Sequence, residues 1–184
     1  MVTASLVALN LAVFLVEIGS GDADLLVRRW GLVPADVLGS APALVTLLTS
    51  VFLHAGWLHL LSNVLYLAMF GPGVERLLGW SRYLLLYLAS GALGGLVHVA
   101  AQPQAALPAV GASGAIAGLI AANLLLRPGV MLGPTALWLG TQLFIGVATV
   151  TSTSTGTAWW AHLGGFAAGL GLTQMLRARR VVRQ

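Results

Sequence analysis

Residues 111–118 read GASGAIAG, in which one serine, Ser113, stands among glycines at the start of an apolar run. Gly114 and Gly118 are four residues apart and share a helix face, where small residues let a second helix approach closely. Gly111 precedes the helix, so Ser113 lies in its first turn, where backbone N–H groups lack intrahelical partners and the helix dipole is positive. This stretch is compatible both with helix packing and with a reactive serine.

The composition around this stretch is that of a membrane protein. The chain has 184 residues, of which 58% are hydrophobic and 8% are charged, and its mean hydropathy is +0.92. In soluble domains, about a quarter of the residues are charged. There is no cysteine, which excludes disulfides, a thiolate nucleophile and cysteine-ligated metal. We expect a single domain over residues 1–184.

Six apolar runs are long enough to be membrane helices, since a bilayer span needs about 20 apolar residues and shorter ones are tolerated inside a bundle. The first run has no basic stretch before it and is expected to be a retained helix. One long connection, 19–56, mixes aspartates, arginines and prolines with apolar residues and predicts an ordered, membrane-hugging insertion. The sequence therefore predicts an all-α, six-helix polytopic bundle, with runs at 2–18, 57–74, 83–100, 112–126, 131–150 and 159–176.

The arginines predict the orientation. All nine basic residues are arginines, and they stand at the ends of apolar runs rather than in one patch, which argues against nucleic-acid binding. Seven of them share one side of the predicted topology, which the positive-inside rule makes the cytoplasm. Both termini are then cytoplasmic, and the loops 19–56, 101–111 and 151–158 lie outside. These seven are Arg76, Arg82, Arg127, Arg177, Arg179, Arg180 and Arg183.

On this topology, five polar side chains from four helices fall at one depth, in the outer half of the membrane. They are His59, Asn63, His98, Ser113 and His162. An unpartnered polar group in hydrocarbon costs several kcal/mol, so intramembrane ionisable residues are functional candidates.

His162 begins the sixth run and shares a helix face with Gly165 and Gly169. If these glycines pack against the helix of Ser113, the imidazole comes within hydrogen-bond reach of the hydroxyl, as a serine nucleophile and its base require. No Asp or Glu follows Glu75. We therefore predict a Ser–His dyad whose imidazole is oriented by packing rather than by a carboxylate.

His59 and Asn63 lie four residues apart on one helix face, where both could donate to an oxyanion or join helices by hydrogen bonds. His54 falls off that face and is assigned a structural role, and His98 is assigned packing or support. A metal site is disfavoured, because the histidines lack helical metal-ligand spacing and a carboxylate. A small transporter remains an alternative, although no inverted repeat is visible and the polar residues lie on one side.

Four motifs together resemble the rhomboid family of intramembrane serine proteases. HAGWLHLLSN (54–63) carries His54, His59 and Asn63, GASG (111–114) carries the serine, AHLGGFAAG (161–169) carries His162, and GVERLLG (73–79) carries Glu75 and Arg76. The six runs, the long first outer loop and the motif order extend this resemblance over essentially the whole chain.

The resemblance implies that Ser113 attacks a peptide bond, that His162 takes its proton, and that the Ser113 amide, His59 and Asn63 form the oxyanion hole. It implies a short central fourth helix, with the serine below the membrane surface in a water-filled cavity. His54 would be structural, and Glu75 with Arg76 would tie helix ends on the inner side.

One departure from the family pattern concerns the support of the base. Many members carry an aromatic residue four positions after the serine, where this chain has Ala117. We therefore expect Trp159 or Trp160 to hold His162.

The function expected from this resemblance is an endopeptidase that cuts transmembrane proteins in or near the bilayer, without a cofactor, in a bacterial inner or plasma membrane. The alternative is a non-catalytic rhomboid-like protein that binds membrane helices.

Overall fold

The computed structural model describes residues 1–151 and 158–181, and in this part of the chain it is built of helices. No strand occurs there beyond an isolated bridge between Leu32 and Ala109. The predicted loop 151–158 and Arg183 lie largely or wholly outside the described residues. The helices are α1 Val2–Gly19, α2 Ala23–Trp30, α3 Pro34–Gly39, α4 Thr46–Thr49, α5 Trp57–Leu78, α6 Trp80–Ala101, α7 Ser113–Leu126, α8 Leu132–Thr151 and α9 Trp159–Val181.

The six predicted runs correspond to the six long helices α1 and α5 to α9, and the all-α membrane bundle is confirmed. By length and composition, three helices in the described residues are able to cross a membrane: α1, α5 and α6. At 1.5 Å per residue, the 14 residues of α7 extend only about 21 Å, less than the roughly 30 Å of a hydrocarbon core. Six complete crossings therefore stay a prediction.

The short helix α7 forms the centre of the bundle. Every residue from Gly114 to Asn123 is buried, as expected for a helix that is apolar on all sides. Helices α5, α6 and α9 pack around it. Large buried rings, among them Phe70, Tyr83 and Tyr87, fill the same core, so the start of α7 is held rigidly inside the protein.

Glycines allow the backbones of α7 and α9 to touch. A Cβ added to Gly165 would overlap the carbonyl oxygen of Gly114, and one added to Gly169 would lie 2.5 Å from both the Cα and the carbonyl oxygen of Gly118. Helix α6 also touches α9, because a Cβ on Gly94 would overlap the carbonyl oxygen of Ala161. The three helices therefore meet through small residues, the packing mode of membrane interfaces.

The segment between α1 and α5 supports the loop that precedes α7. Leu32 and Ala109 exchange both backbone hydrogen bonds, at 3.0 and 2.8 Å, and the amide of Ala35 donates to the carbonyl oxygen of Ala105. At the end of this loop, the amide of Gly111 donates to the carbonyl oxygen of Ser50 at 2.9 Å. These bonds pair part of the irregular backbone of the 102–111 connection with other protein groups.

At the opposite end of the bundle, Glu75 caps the first helix. Its carboxylate oxygens accept from the amide of Val2 at 2.7 Å and from the amide and hydroxyl of Thr3 at 3.0 and 2.7 Å. An anion at a helix N-terminus is favourable. The neighbouring Arg76 donates from Nε to the carbonyl oxygen of Pro72 in its own helix, at 3.5 Å. Glu75 thus joins α5 to α1, far from Ser113.

Candidate active site

A cavity of about 670 Å³ lies at the start of α7 and is bounded by α5, α6, α8, α9 and the 102–111 connection. Apolar lining includes Leu107, Pro108 and Ile116. The five polar side chains predicted at one depth all line it: His59, Asn63, His98, Ser113 and His162.

Ser113 and His162 are in direct contact in this cavity. The Oγ of Ser113 lies 2.6 Å from Nε2 of His162, a distance at which a hydroxyl donates to an imidazole nitrogen. Ser113 is the first residue of α7, and His162 lies in the first turn of α9. The contact joins residues 49 positions apart in sequence, and the glycine-mediated approach of α7 to α9 makes it possible.

The other ring nitrogen of His162 has a partner that the sequence analysis did not identify. Nδ1 lies 2.5 Å from Oε1 of Gln142, on α8. The main-chain oxygen of the same residue accepts the indole N–H of Trp159 at 2.8 Å. Gln142 therefore contacts α9 through both its side chain and its backbone. Its signal in the sequence is an amide inside the apolar run 131–150, where polar residues are costly.

The aromatic ring beside the imidazole is that of Trp138. Its centroid lies 6.4 Å from that of His162, and it stacks on Phe166 at 5.9 Å with an interplanar angle of 16°. Trp138, Phe166 and the fully buried Ala117 belong to the same apolar core. Trp159, one of the two residues expected there, instead bonds to α8. Tertiary contact with α8 thus supplies the ring that the chain lacks four residues after Ser113.

His59 and Asn63 face the cavity from the first two turns of α5. The Nδ1 atom of His59 accepts the amide of Ala55 at 3.4 Å, which leaves Nε2 to carry the proton of a neutral ring. A Cβ on Gly111 would lie 2.6 Å from this Nε2, and Gly111 has φ +120°, so only glycine fits there. The amide nitrogen of Asn63 donates one bond to the carbonyl oxygen of His59 at 3.0 Å and has a second N–H for a ligand.

His54 and Glu17 form a buried contact behind His59. The carboxylate of Glu17 accepts the backbone amide of His54 at 3.2 and 3.3 Å, and the His54 and His59 rings meet edge to face at 5.2 Å. Burial, followed by the nearby His59, lowers the pKa of His54 to about 4. His54 is therefore neutral at physiological pH and supports the segment that leads into α5.

His98 lines the cavity from α6, and its Nδ1 is buried without a hydrogen-bond partner in the described residues. In those residues, no group of three or more His, Asp or Glu side chains has the arrangement of a metal site.

Comparison with known proteins adds an independent line of evidence. The sequence model of the Rhomboid domain family matches residues 41–179. The chain is similar to the rhomboid protease GluP of Bacillus subtilis, with 45% identity over 78 residues, or 42% of this chain and 15% of that protein. It is 35% identical over 124 residues to rhomboid-type serine protease 2 of Emericella nidulans, or 66% of this chain and 25% of that protein.

A relative described as inactive also matches. Inactive rhomboid protein 1 of Drosophila melanogaster is 34% identical over 91 residues, which are 50% of this chain and 6% of that protein. The matched segment spans a quarter or less of the length of each of these three relatives.

Proposed function

We propose that this chain, which belongs to the rhomboid family, is an intramembrane serine endopeptidase with Ser113 as nucleophile and His162 as general base. The observation that carries the proposal is the 2.6 Å hydrogen bond between Ser113 Oγ and His162 Nε2 at the wall of a 670 Å³ cavity. A hydroxyl is a weak nucleophile until an adjacent base accepts its proton. This pair meets that requirement.

In the proposed reaction, Ser113 Oγ attacks the carbonyl carbon of a substrate peptide bond while its proton passes to His162 Nε2. The carbonyl oxygen becomes an oxyanion, which the amide of Ser113 at the N-terminus of α7, Nε2–H of His59 and the free N–H of Asn63 stabilise. His162 then gives the proton to the leaving amine, and an acyl-enzyme remains on Ser113. Water, activated by the same imidazole, hydrolyses the ester.

The substrates in this proposal are transmembrane proteins. A substrate helix hides its peptide bonds in its own hydrogen bonds, so cleavage requires local unwinding. We expect cut sites near Gly, Pro or other residues that weaken helices. The arginine distribution supports a cavity that opens to the outer side of the membrane, with both termini in the cytoplasm.

The test is cleavage of a panel of single-span substrates in liposomes, with cut sites mapped by mass spectrometry. Ser113→Ala and His162→Ala are each expected to abolish cleavage and to leave the helical content by circular dichroism intact. Ser62→Ala is the matched control, since its hydroxyl also lines the cavity but bonds to the carbonyl oxygen of His59 in its own helix. Ser113→Ala protein that cuts at the parent rate would refute the assignment.

A second candidate is a non-catalytic protein that binds membrane helices through the same cavity. The similarity to an inactive rhomboid protein favours it. A fluorophosphonate probe separates the two functions. Labelling that requires both Ser113 and His162 supports the protease, whereas substrate binding without labelling supports the binder.

A further inference from the structure

We propose that Gln142 is the positioning residue of the dyad, whose amide oxygen accepts Nδ1–H of His162 and so occupies the place that a carboxylate takes in a catalytic triad. This inference rests on the proposed protease function. It replaces the expectation that packing alone orients the imidazole. It also gives a role to the one amide side chain that faces His162 from α8.

Two contacts agree on which atom of the amide faces the ring, a long one to Thr141 and a short one to His162. The hydroxyl of Thr141 donates to the carbonyl oxygen of Trp138 at 2.7 Å, so its oxygen is left to accept. The Nε2 atom of Gln142 lies 3.5 Å from that oxygen and donates to it. Oε1 of Gln142 therefore points at Nδ1 of His162, at 2.5 Å.

This direction selects the tautomer of the base. A neutral imidazole has one N–H, and an acceptor at Nδ1 holds the proton there. Nε2 is then the bare nitrogen that receives the Ser113 hydroxyl, as a base must. The hydrogen bonds run in one sense from Ser113 through His162 and Gln142 to Thr141 and the main chain of Trp138.

The hydrogen bonds of the His162 ring in the described residues go to Ser113 and Gln142, and no carboxylate takes part in them. Glu17 accepts from the backbone of His54, and Glu75 caps α1. The titratable side chains that line the same cavity as His162 are His59 and Tyr66 on α5 and His98 on α6. A neutral amide orients the base without adding a negative charge, which distinguishes this arrangement from a triad with aspartate.

The position of Gln142 along α8, relative to His162 on α9, is fixed by a main-chain hydrogen bond. The Trp159 indole donates to its main-chain oxygen at 2.8 Å, and Trp159 precedes His162 by three residues on α9. A Cβ on Gly146, one turn further along α8, would lie 2.7 Å from the Trp159 ring, so this glycine lets the indole seat against α8. The Trp159 bond thus joins the main chain of Gln142 to α9, the helix that carries His162.

The test uses two substitutions of Gln142 in the full chain in liposomes, with cleavage measured from pH 5 to 9. Gln142→Leu keeps the volume and removes the acceptor. We expect kcat to fall about 10- to 100-fold, the loss typical when an orienting partner of a histidine is removed, while KM stays unchanged. Gln142→Glu restores an acceptor of the same length and adds a charge that stabilises the imidazolium. We expect it to recover cleavage, with the acid limb of the pH–rate profile moved to higher pH.

The control is Leu143→Ala, the next residue on α8, whose side chain is 69% exposed and points away from the cavity. Gln142→Leu with the kcat of this control would overturn the inference, as would Gln142→Glu with an unchanged acid limb or without recovery. If Gln142→Leu fails to fold, the pH profile of Gln142→Glu decides. A wild-type protein that neither cleaves nor reacts with a fluorophosphonate would instead refute the proposed function.

Discussion

Replacing Gly169 by alanine is expected to push α9 away from α7 and to lengthen the contact between Ser113 and His162. The new Cβ would lie 2.5 Å from the Cα and carbonyl oxygen of Gly118, about 0.9 Å short of an ordinary 3.4 Å contact. These are main-chain atoms of a buried helix and cannot rotate aside. Overpacking of this kind costs about 1–3 kcal/mol, and a displacement near 1 Å at a catalytic group lowers the rate about 100-fold.

The assay compares Gly169→Ala with Gly171→Ala on the same helix. A Cβ at Gly171 meets nothing within 4 Å, so both variants gain the same helix propensity, about 1 kcal/mol, and only the first gains a clash. We expect Gly169→Ala to unfold at lower denaturant and to cut a model substrate 10- to 100-fold more slowly than Gly171→Ala. Equal stability and equal cleavage in the two variants would show that the glycine contact does not set the distance between α7 and α9.

Three further predictions concern separate parts of the molecule. Asn63→Ala should lower kcat about 100- to 1,000-fold with little change in KM, because the oxyanion donor proposed here acts in the transition state. In steady-state cleavage assays, an equal rise in KM would contradict this role. Glu75→Gln should lower the free energy of unfolding by about 1–3 kcal/mol through weaker capping of α1. The neighbouring Arg76→Ala should leave the free energy of unfolding unchanged. Both variants should keep the wild-type kcat. The pKa of His54 falls from 6.5 to about 4 on folding, so its contribution to stability is complete above pH 6.5 and decreases as pH falls towards 4. The decrease reaches about 3 kcal/mol, at about 1.36 kcal/mol per pKa unit. His54→Gln should therefore lose less unfolding free energy than wild type between pH 6.5 and 4, and equal losses in the two proteins would refute a contribution from His54.

The fold could be predicted from sequence because membrane helices carry their signal locally. Six apolar runs correspond to the six long helices, with bounds that differ by a few residues at most ends. The sequence did not resolve which helices are long and apolar enough to cross the bilayer by themselves. That distinction depends on where each helix begins and ends, since α7 has only 14 residues and is buried from Gly114 to Asn123.

The polar residues of the candidate site were also recognisable, because a serine or histidine in an apolar run has few other reasons to be there. Gln142 was missed although it obeys the same rule. Its run carries no other motif, and its distance from His162 is 20 residues, which no helical periodicity connects. The contact of Trp138 with the His162 ring was not predicted for the same reason, since it depends on how α8 packs against α9.

Hydropathy and residue chemistry are properties of single segments, so the helical membrane character and the side chains able to react can be recognised without the structure. Only the tertiary structure decided which of these groups meet. The 2.6 Å contact of Ser113 with His162 depends on two helices touching at glycines, and the acceptor for the second nitrogen of the imidazole comes from a third helix. Such contacts join residues far apart in the chain, and their distances follow from the packing of whole helices.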